Sequence, residues 1–392
     1  MFVRVNIPNW GLSEYRAGLF AMLHGSRQRP DLVFTDVLEA ATGRSDISLH
    51  ASARQALVTA MGAGCIRATS IAVPAYVCPA VAHAVRAAGM HPVPIDCATD
   101  AFHMDHDALE KAIERDRIGG VIVPSTYGVP APHERLRSVG LPWFNDAAYR
   151  VGDMEQVTAS ERNGSAATIW SFNYKALSGV GGGILIGANT SVTTREPVGY
   201  VGSRRDERQR FANYALRAVW RHRIPRSLPG AAVPRALAKH EGRPVLERVP
   251  MGTMSGLQAA IALTQWQRRL ELFRRSRSNS SLLADVAARS ELVRLPSTTD
   301  GAADAGFPHL FPLLVTSPIE QAEATVLRIR KSLHFRGVQT EDPYPLLATQ
   351  YARIERATEL RRRLLLVPCN ASIASDAIAH VAEALDCALR EV

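Results

Sequence analysis

Three short segments of this 392-residue chain carry side chains whose types and order point to one chemistry. The first is Trp170-Ser-Phe-Asn-Tyr-Lys175, followed by Gly181-Gly-Gly183; Lys175 is the only lysine between Lys111 and Lys239. The second is Phe144-Asn-Asp-Ala-Ala-Tyr149, in which Asp146 ends an apolar run and is followed by two small residues. The third is His50-Ala-Ser-Ala-Arg-Gln-Ala-Leu57, where Ser52 precedes an amphipathic stretch. An amine can condense with a carbonyl carbon. A carboxylate can hold a heterocyclic nitrogen protonated, so that the ring draws electrons from a bond to be broken. A hydroxyl and free N–H groups at a helix start can hold a phosphate.

Taken singly, each feature has a plain structural reading: a surface lysine, a turn aspartate, a helix cap. Together, and in this order, they meet the requirements of pyridoxal phosphate. The glycines after Lys175 let backbone approach a cofactor, and Ala147 and Ala148 leave room for a flat ring.

The elements that must position these residues alternate. Ser70–Pro74, His91–Ile95, Gly120–Pro124, Pro142–Asp146 and Gly183–Gly187 read as strands, and an apolar-aromatic strand precedes Lys175. Pro79 to Ala88 reads as a helix, and Asp105 as the cap of another. This is an α/β chain with a large, mostly parallel sheet whose ligands bind at the strands' carboxyl ends. Ser255 caps what reads as one long helix carrying Leu257, Ile261, Trp266, Leu270 and Phe273. A smaller α/β region follows, with strands at Phe311–Val315 and Leu364–Pro368 and a last helix capped by Ser375. The expected division is a large cofactor domain over 1–250 and a smaller domain over 251–392.

Apolar residues make up 46% of the chain and charged residues 21%, which excludes a disordered or coiled-coil protein. Five cysteines without C-x-x-C spacing exclude a zinc or disulfide scaffold, and the histidines show no ligand spacing, so no metal is expected. Neither a signal peptide nor a membrane-spanning run is evident, so the expectation is a cytoplasmic protein. Net charge is +9, and residues 203–248, with twelve Lys+Arg against four Asp+Glu, hold nearly all of it. That segment reads as an irregular basic insertion: a solvated surface, or a collar for an anionic substrate. No nucleic-acid motif accompanies it, and the glycine run lacks the Lys-Ser/Thr of a P-loop.

At these residues the chain resembles the DegT/StrS sugar aminotransferase family, pyridoxal-phosphate enzymes of fold-type I. The likeness runs from Ser52 to Gly187 and returns at Met254–Ile261. Ser52–Leu57 is similar to the family's phosphate loop, Val73–Pro79 to its proline-containing stretch, Val121–Gly128 to its strand and Tyr-Gly turn, and Asp146-Ala-Ala148 to its Asp-Ala-Ala motif. Ser171-Phe172, Lys175 and Gly182-Gly183 match the lysine segment. The resemblance implies that Lys175 is the Schiff-base lysine and proton shuttle, that Asp146 pairs with the pyridinium nitrogen, and that Ala53 and Arg54 backbone with Ser171 holds the phosphate. It makes Tyr76 the nearest aromatic to the ring-stacking position, which a gapless match puts nearer Cys78.

The same resemblance implies a homodimer with a small-molecule, anionic substrate. The activity it implies moves an amino group from glutamate or a similar donor to a keto sugar nucleotide or related intermediate. A racemase, lyase or condensing enzyme using the same Lys and Asp is the alternative, and a non-enzymatic relative a further one. This sequence departs from the family pattern at several places. Ala53 and Arg54 stand for Gly-Thr, and Tyr149 for a Gln or His near the ring hydroxyl. Three residues, one fewer than usual, separate Ser171 from Lys175. Met251 and Thr253 stand where the family has the Asn and Arg before the long helix.

Overall fold

The structure is a computed structural model that describes residues 3–5, 7–24, 29–63, 66, 68–173, 175–187, 204–220, 252–297, 309–347 and 353–392. Its strands are β1 (Ile47–His50), β2 (Ser70–Pro74), β3 (His91–Ile95), β4 (Ile118–Pro124), β5 (Trp143–Asp146), β6 (Ser165–Ser171), β7 (Gly183–Gly187), β8 (Val293–Arg294), β9 (Leu310–Val315) and β10 (Leu364–Pro368). The helices are α1 (Leu12–His24), α2 (Pro30–Thr42), α3 (Ala53–Gly62), α4 (Pro79–Ala87), α5 (His106–Asp116), α6 (Met154–Arg162), α7 (Arg204–Trp220), α8 (Gly256–Gln267), α9 (Arg269–Ala288), α10 (Ile319–Phe335), α11 (Glu355–Arg363) and α12 (Ser375–Arg390).

Seven strands form one sheet in the order β1-β7-β6-β5-β4-β2-β3. β3, β2, β4, β5 and β6 run parallel, and β7 runs antiparallel to both β6 and β1. All seven residues of β4 are buried, as expected where helices cover both faces of a sheet. On one face Ala56, Leu57, Ala60 and Met61 of α3 meet Val81, Ala84 and Val85 of α4 over Ile71, Ile122 and Phe144. Leu109 and Ala112 of α5 pack with Val121 and Trp143 on the other. A second sheet, β10-β9-β8, is antiparallel and packs with α9, α10 and α12 around Leu313, Leu365 and Leu385.

Several expectations change. The one long helix is two: a capping box at Ser255 starts α8, and the chain bends at Arg268 before α9, leaving Leu270 64% exposed. Ser375 is the first helical residue of α12 and Ala374 its cap. The part of the basic segment that the structure describes is regular helix, not irregular chain: α7 buries Phe211, Tyr214 and Ala218, and Phe211 and Tyr214 lie against Trp10. The rest of 203–248, Met251 and Cys65 lie outside the described residues.

The strand directions put one set of termini along a single edge of the large sheet. The carboxyl ends of β1, β2, β4, β5 and β6 meet there, together with the amino end of β7.

Candidate active site

Ser52 caps α3, its Oγ accepting the Gln55 N–H at 3.2 Å. The first turn of α3 contains no acid and does contain Arg54. A cation at this end opposes the helix dipole, which favours an anion there. Burial lowers the pKa of Arg54; the Cys78 side chain opposes that, and Arg210 of α7 reinforces it. Two cations thus stand near the helix start, one from α3 and one from the basic segment.

The same helix start is pressed onto the sheet. A Cβ at Gly183 would lie 2.4 Å from Ala53 N and 2.6 Å from the Ser52 carbonyl carbon, so only glycine fits. Gly182, paired with Ser52, has φ +103°. Ser171 lies opposite Gly183 in the β6–β7 ladder. Its Oγ accepts the Asn173 N–H at 3.4 Å. Ser52, Ala53, Arg54 and Ser171 are thus brought to one place. Replacing Gly183 with Ala must push backbone against backbone. We expect a loss of about 1–3 kcal/mol, read as a lower urea midpoint, with weaker cofactor retention.

Asp146 is the last residue of β5, between Pro124 of β4 and Ile169 of β6. The three residues before it are buried and it is partly so. Burial pushes its carboxyl up to about 6; Lys175 pulls the other way, and the Ala148 N–H at 3.2 Å adds to that pull. The amine and the acid are therefore near enough to be electrostatically coupled. Lys175 Nζ lies 3.4 Å from the centre of the Tyr149 ring, a cation–π contact. His309, just before β9, also faces Lys175; burial first, and that neighbour second, push its imidazole down to about 3, so it is neutral.

A phenol cluster adjoins Lys175 through Tyr149. The Tyr149 and Tyr344 hydroxyls are 2.6 Å apart, those of Tyr76 and Tyr127 2.8 Å. Tyr344 stacks on Tyr127 at 5.1 Å, and its N–H donates to the Tyr76 hydroxyl at 3.1 Å. Burial raises the pKa of Tyr76, Tyr127 and Tyr344, so all three stay protonated. Tyr127 sits in the left-handed region at φ 56°, a strained position for a non-glycine residue. The fully buried Tyr76 makes its ring contacts with Phe102, Tyr127 and Tyr344. The ring in contact with Lys175 is that of Tyr149.

Sequence reading missed Tyr344, His309 and Arg210, and met Tyr127 only as part of the Tyr-Gly turn. It also found no histidine with ligand spacing, whereas the start of α5 brings ligand atoms of His106, Asp107 and Glu110 within 4.8 Å. These form a surface group with a His106–Glu110 contact of 3.3 Å. No helix among the described residues is long and apolar enough to cross a membrane.

Pyridoxal phosphate fits the residues present. A buried carboxyl, an amine coupled to it and a helix start bearing cations are groups that could hold its ring nitrogen, aldehyde and phosphate. The fold and the family match together make this a pyridoxal-phosphate-dependent aminotransferase of fold-type I. The chain belongs to the DegT/DnrJ/EryC1/StrS aminotransferase family, whose profile matches residues 34–386.

Solved structures share the fold. Helicobacter pylori PseC, an aminotransferase involved in the biosynthesis of pseudoaminic acid, superposes with a TM-score of 0.72 at 14% identity, over 100% of both chains. The putative sugar aminotransferase Spr1654 from Streptococcus pneumoniae, in its PMP form, gives 0.71 at 15% over 100% of this chain and 98% of that one. NtdA from Bacillus subtilis, with bound cofactor PMP, gives 0.68 at 18% over 97% and 83%. No curated protein matches the sequence directly.

Proposed function

We propose that this enzyme moves an amino group from glutamate or a similar donor to a keto group on a sugar nucleotide or related biosynthetic intermediate. Lys175 is the catalytic amine and proton carrier, and Asp146 the partner of the ring nitrogen. The start of α3 at Ser52, Ala53 and Arg54, with Ser171, is the phosphate cradle, and Tyr149 flanks the amine. When bound, pyridoxal phosphate supplies an electron-withdrawing ring that disperses the charge left when the substrate Cα proton is removed. The chain's own residues do the rest. Asp146 holds a proton on the nitrogen, Lys175 carries one to and from Cα, and the cradle fixes the tail so that both stay in register.

The observation that carries this reading is the electrostatic coupling of Asp146 and Lys175. The names of PseC and Spr1654 support a sugar substrate. The test is the visible spectrum with pyridoxal phosphate, followed by titration with glutamate and then a keto sugar nucleotide. Conversion to the pyridoxamine form and back supports the reading; an enzyme that ignores glutamate and every other amino donor overturns it.

We infer too that the working unit is a homodimer. Leu12 (82% exposed), Leu19, Phe20 and Leu23 (80%) of α1, with Leu32 and Val33 of α2, present an apolar face that water disfavours. A second copy is the occupant proposed for it. Sedimentation should give twice 42.7 kDa for the native chain, and a smaller mass for the F20E/L23E double variant. A native monomer at micromolar concentration would refute the dimer.

A further inference from the structure

We propose that Tyr344 is a positioning residue of the reaction centre, its hydroxyl fixing the Tyr149 ring beneath the Lys175 amine. This inference rests on Lys175 being the cofactor lysine.

The argument begins with the path of the chain after α10. Glu341 pairs with Leu366 of β10 in the small sheet. Six residues later the Leu347 N–H reaches Ala75 O, just past β2 of the large sheet, at 2.9 Å. The intervening stretch is a strap between the two sheets. It is held midway by the Tyr344 N–H on the Tyr76 hydroxyl at 3.1 Å and by Arg361 Nε on Tyr344 O at 3.1 Å. Tyr344 is therefore anchored by its backbone on both sides and by its ring on Tyr127 at 5.1 Å. Its free end is the hydroxyl, and that hydroxyl meets Tyr149 at 2.6 Å.

Tyr149 needs such a stop. It follows Asp146 by three residues, and its ring face carries Lys175 Nζ at 3.4 Å. Packing on Tyr127 at 5.8 Å limits the swing of this buried ring, and the hydroxyl bond sets the angle that remains. A ring pinned at its hydroxyl offers one face at one angle, and attraction to that face falls off with displacement. Asp146 and His309 also face Lys175, but the first is fixed to β5 and the second to the start of β9. Among these described contacts, Tyr149 is bonded at its far end to a residue 195 positions away.

The hydrogen bond can be removed from either side without losing a ring. Tyr149→Phe, Tyr344→Phe and the double variant should therefore behave alike, because all three lack the same bond. Two readouts separate aim from architecture. One is the rate at which the cofactor-free protein develops the visible band with pyridoxal phosphate, as Lys175 Nζ condenses with the aldehyde and water leaves. The other is the dissociation constant for pyridoxamine phosphate, which has no aldehyde and reports ring and phosphate binding without the covalent link.

We expect capture to slow by about threefold to tenfold, equally in all three variants, with the pyridoxamine phosphate affinity of Tyr344→Phe, which lies outside the cofactor contacts, within about twofold of native. Losses that multiply in the double variant, an unchanged capture rate, or an equal loss of pyridoxamine phosphate affinity in Tyr344→Phe would each overturn the proposal. Absence of any band in the native protein would instead overturn the assignment of Lys175.

Discussion

Lys175→Ala will leave a folded protein that binds pyridoxal phosphate without the visible band of a covalent link, and its transamination will fall on the order of 10⁴-fold or more. The expectation follows from what surrounds Lys175. Among the groups shown to face it, Asp146 is an acid and His309 is held neutral by burial; neither can form a carbon–nitrogen bond in place of an amine. Lys175→Arg separates charge from chemistry. A guanidinium keeps a cation near Asp146 and Tyr149, yet it does not lose its proton at working pH and cannot attack an aldehyde. The Arg variant should therefore melt closer to native than the Ala variant while being equally silent in the visible spectrum. A native-strength band in either variant would remove Lys175 from the mechanism.

Much of this was legible because the chemistry follows strand ends. Buried parallel strands are continuous apolar runs, so Val121–Pro124 and Trp143–Asp146 announce themselves, and a polar residue closing such a run stands at the ligand edge of the sheet. Ser52 was readable as a cap and Gly183 as a place of close approach. What failed has equally physical causes. The bend at Arg268 contains neither proline nor glycine, and the apolar spacing runs straight through it. In α7 the charge total of a long window hid a short helical period, Phe211, Tyr214 and Ala218. Tyr344 and His309 belong to segments that pack on the small sheet and carry no local pattern. Only the tertiary fold brings them to Lys175 and Tyr149, and no single-sequence signal spans that distance.

Asp146→Asn should make the cofactor-free protein more stable and the enzyme nearly inactive. Burial raises the Asp146 carboxyl from 3.8 to about 6. A raised carboxyl favours folding only while it is protonated, so its contribution is complete below pH 3.8 and is lost as pH climbs through about 6. Above that, the folded protein holds a buried charge whose net cost, with the pull of Lys175 already included, is about 3 kcal/mol at most. Asparagine removes the charge and keeps an oxygen for the Ala148 N–H. Thermal melts should thus show the Asn variant ahead at pH 8 and level with native near pH 4. Added pyridoxal phosphate should reverse the order at pH 8, because a protonated ring nitrogen repays the buried carboxylate and does nothing comparable for an amide. Turnover should drop on the order of 10²–10³-fold, since the ring no longer keeps its proton as charge develops. A cofactor-free Asn variant no more stable than native at pH 8 would mean that the carboxyl is not held against its solvation. The strain that the cofactor is argued to relieve would then not exist.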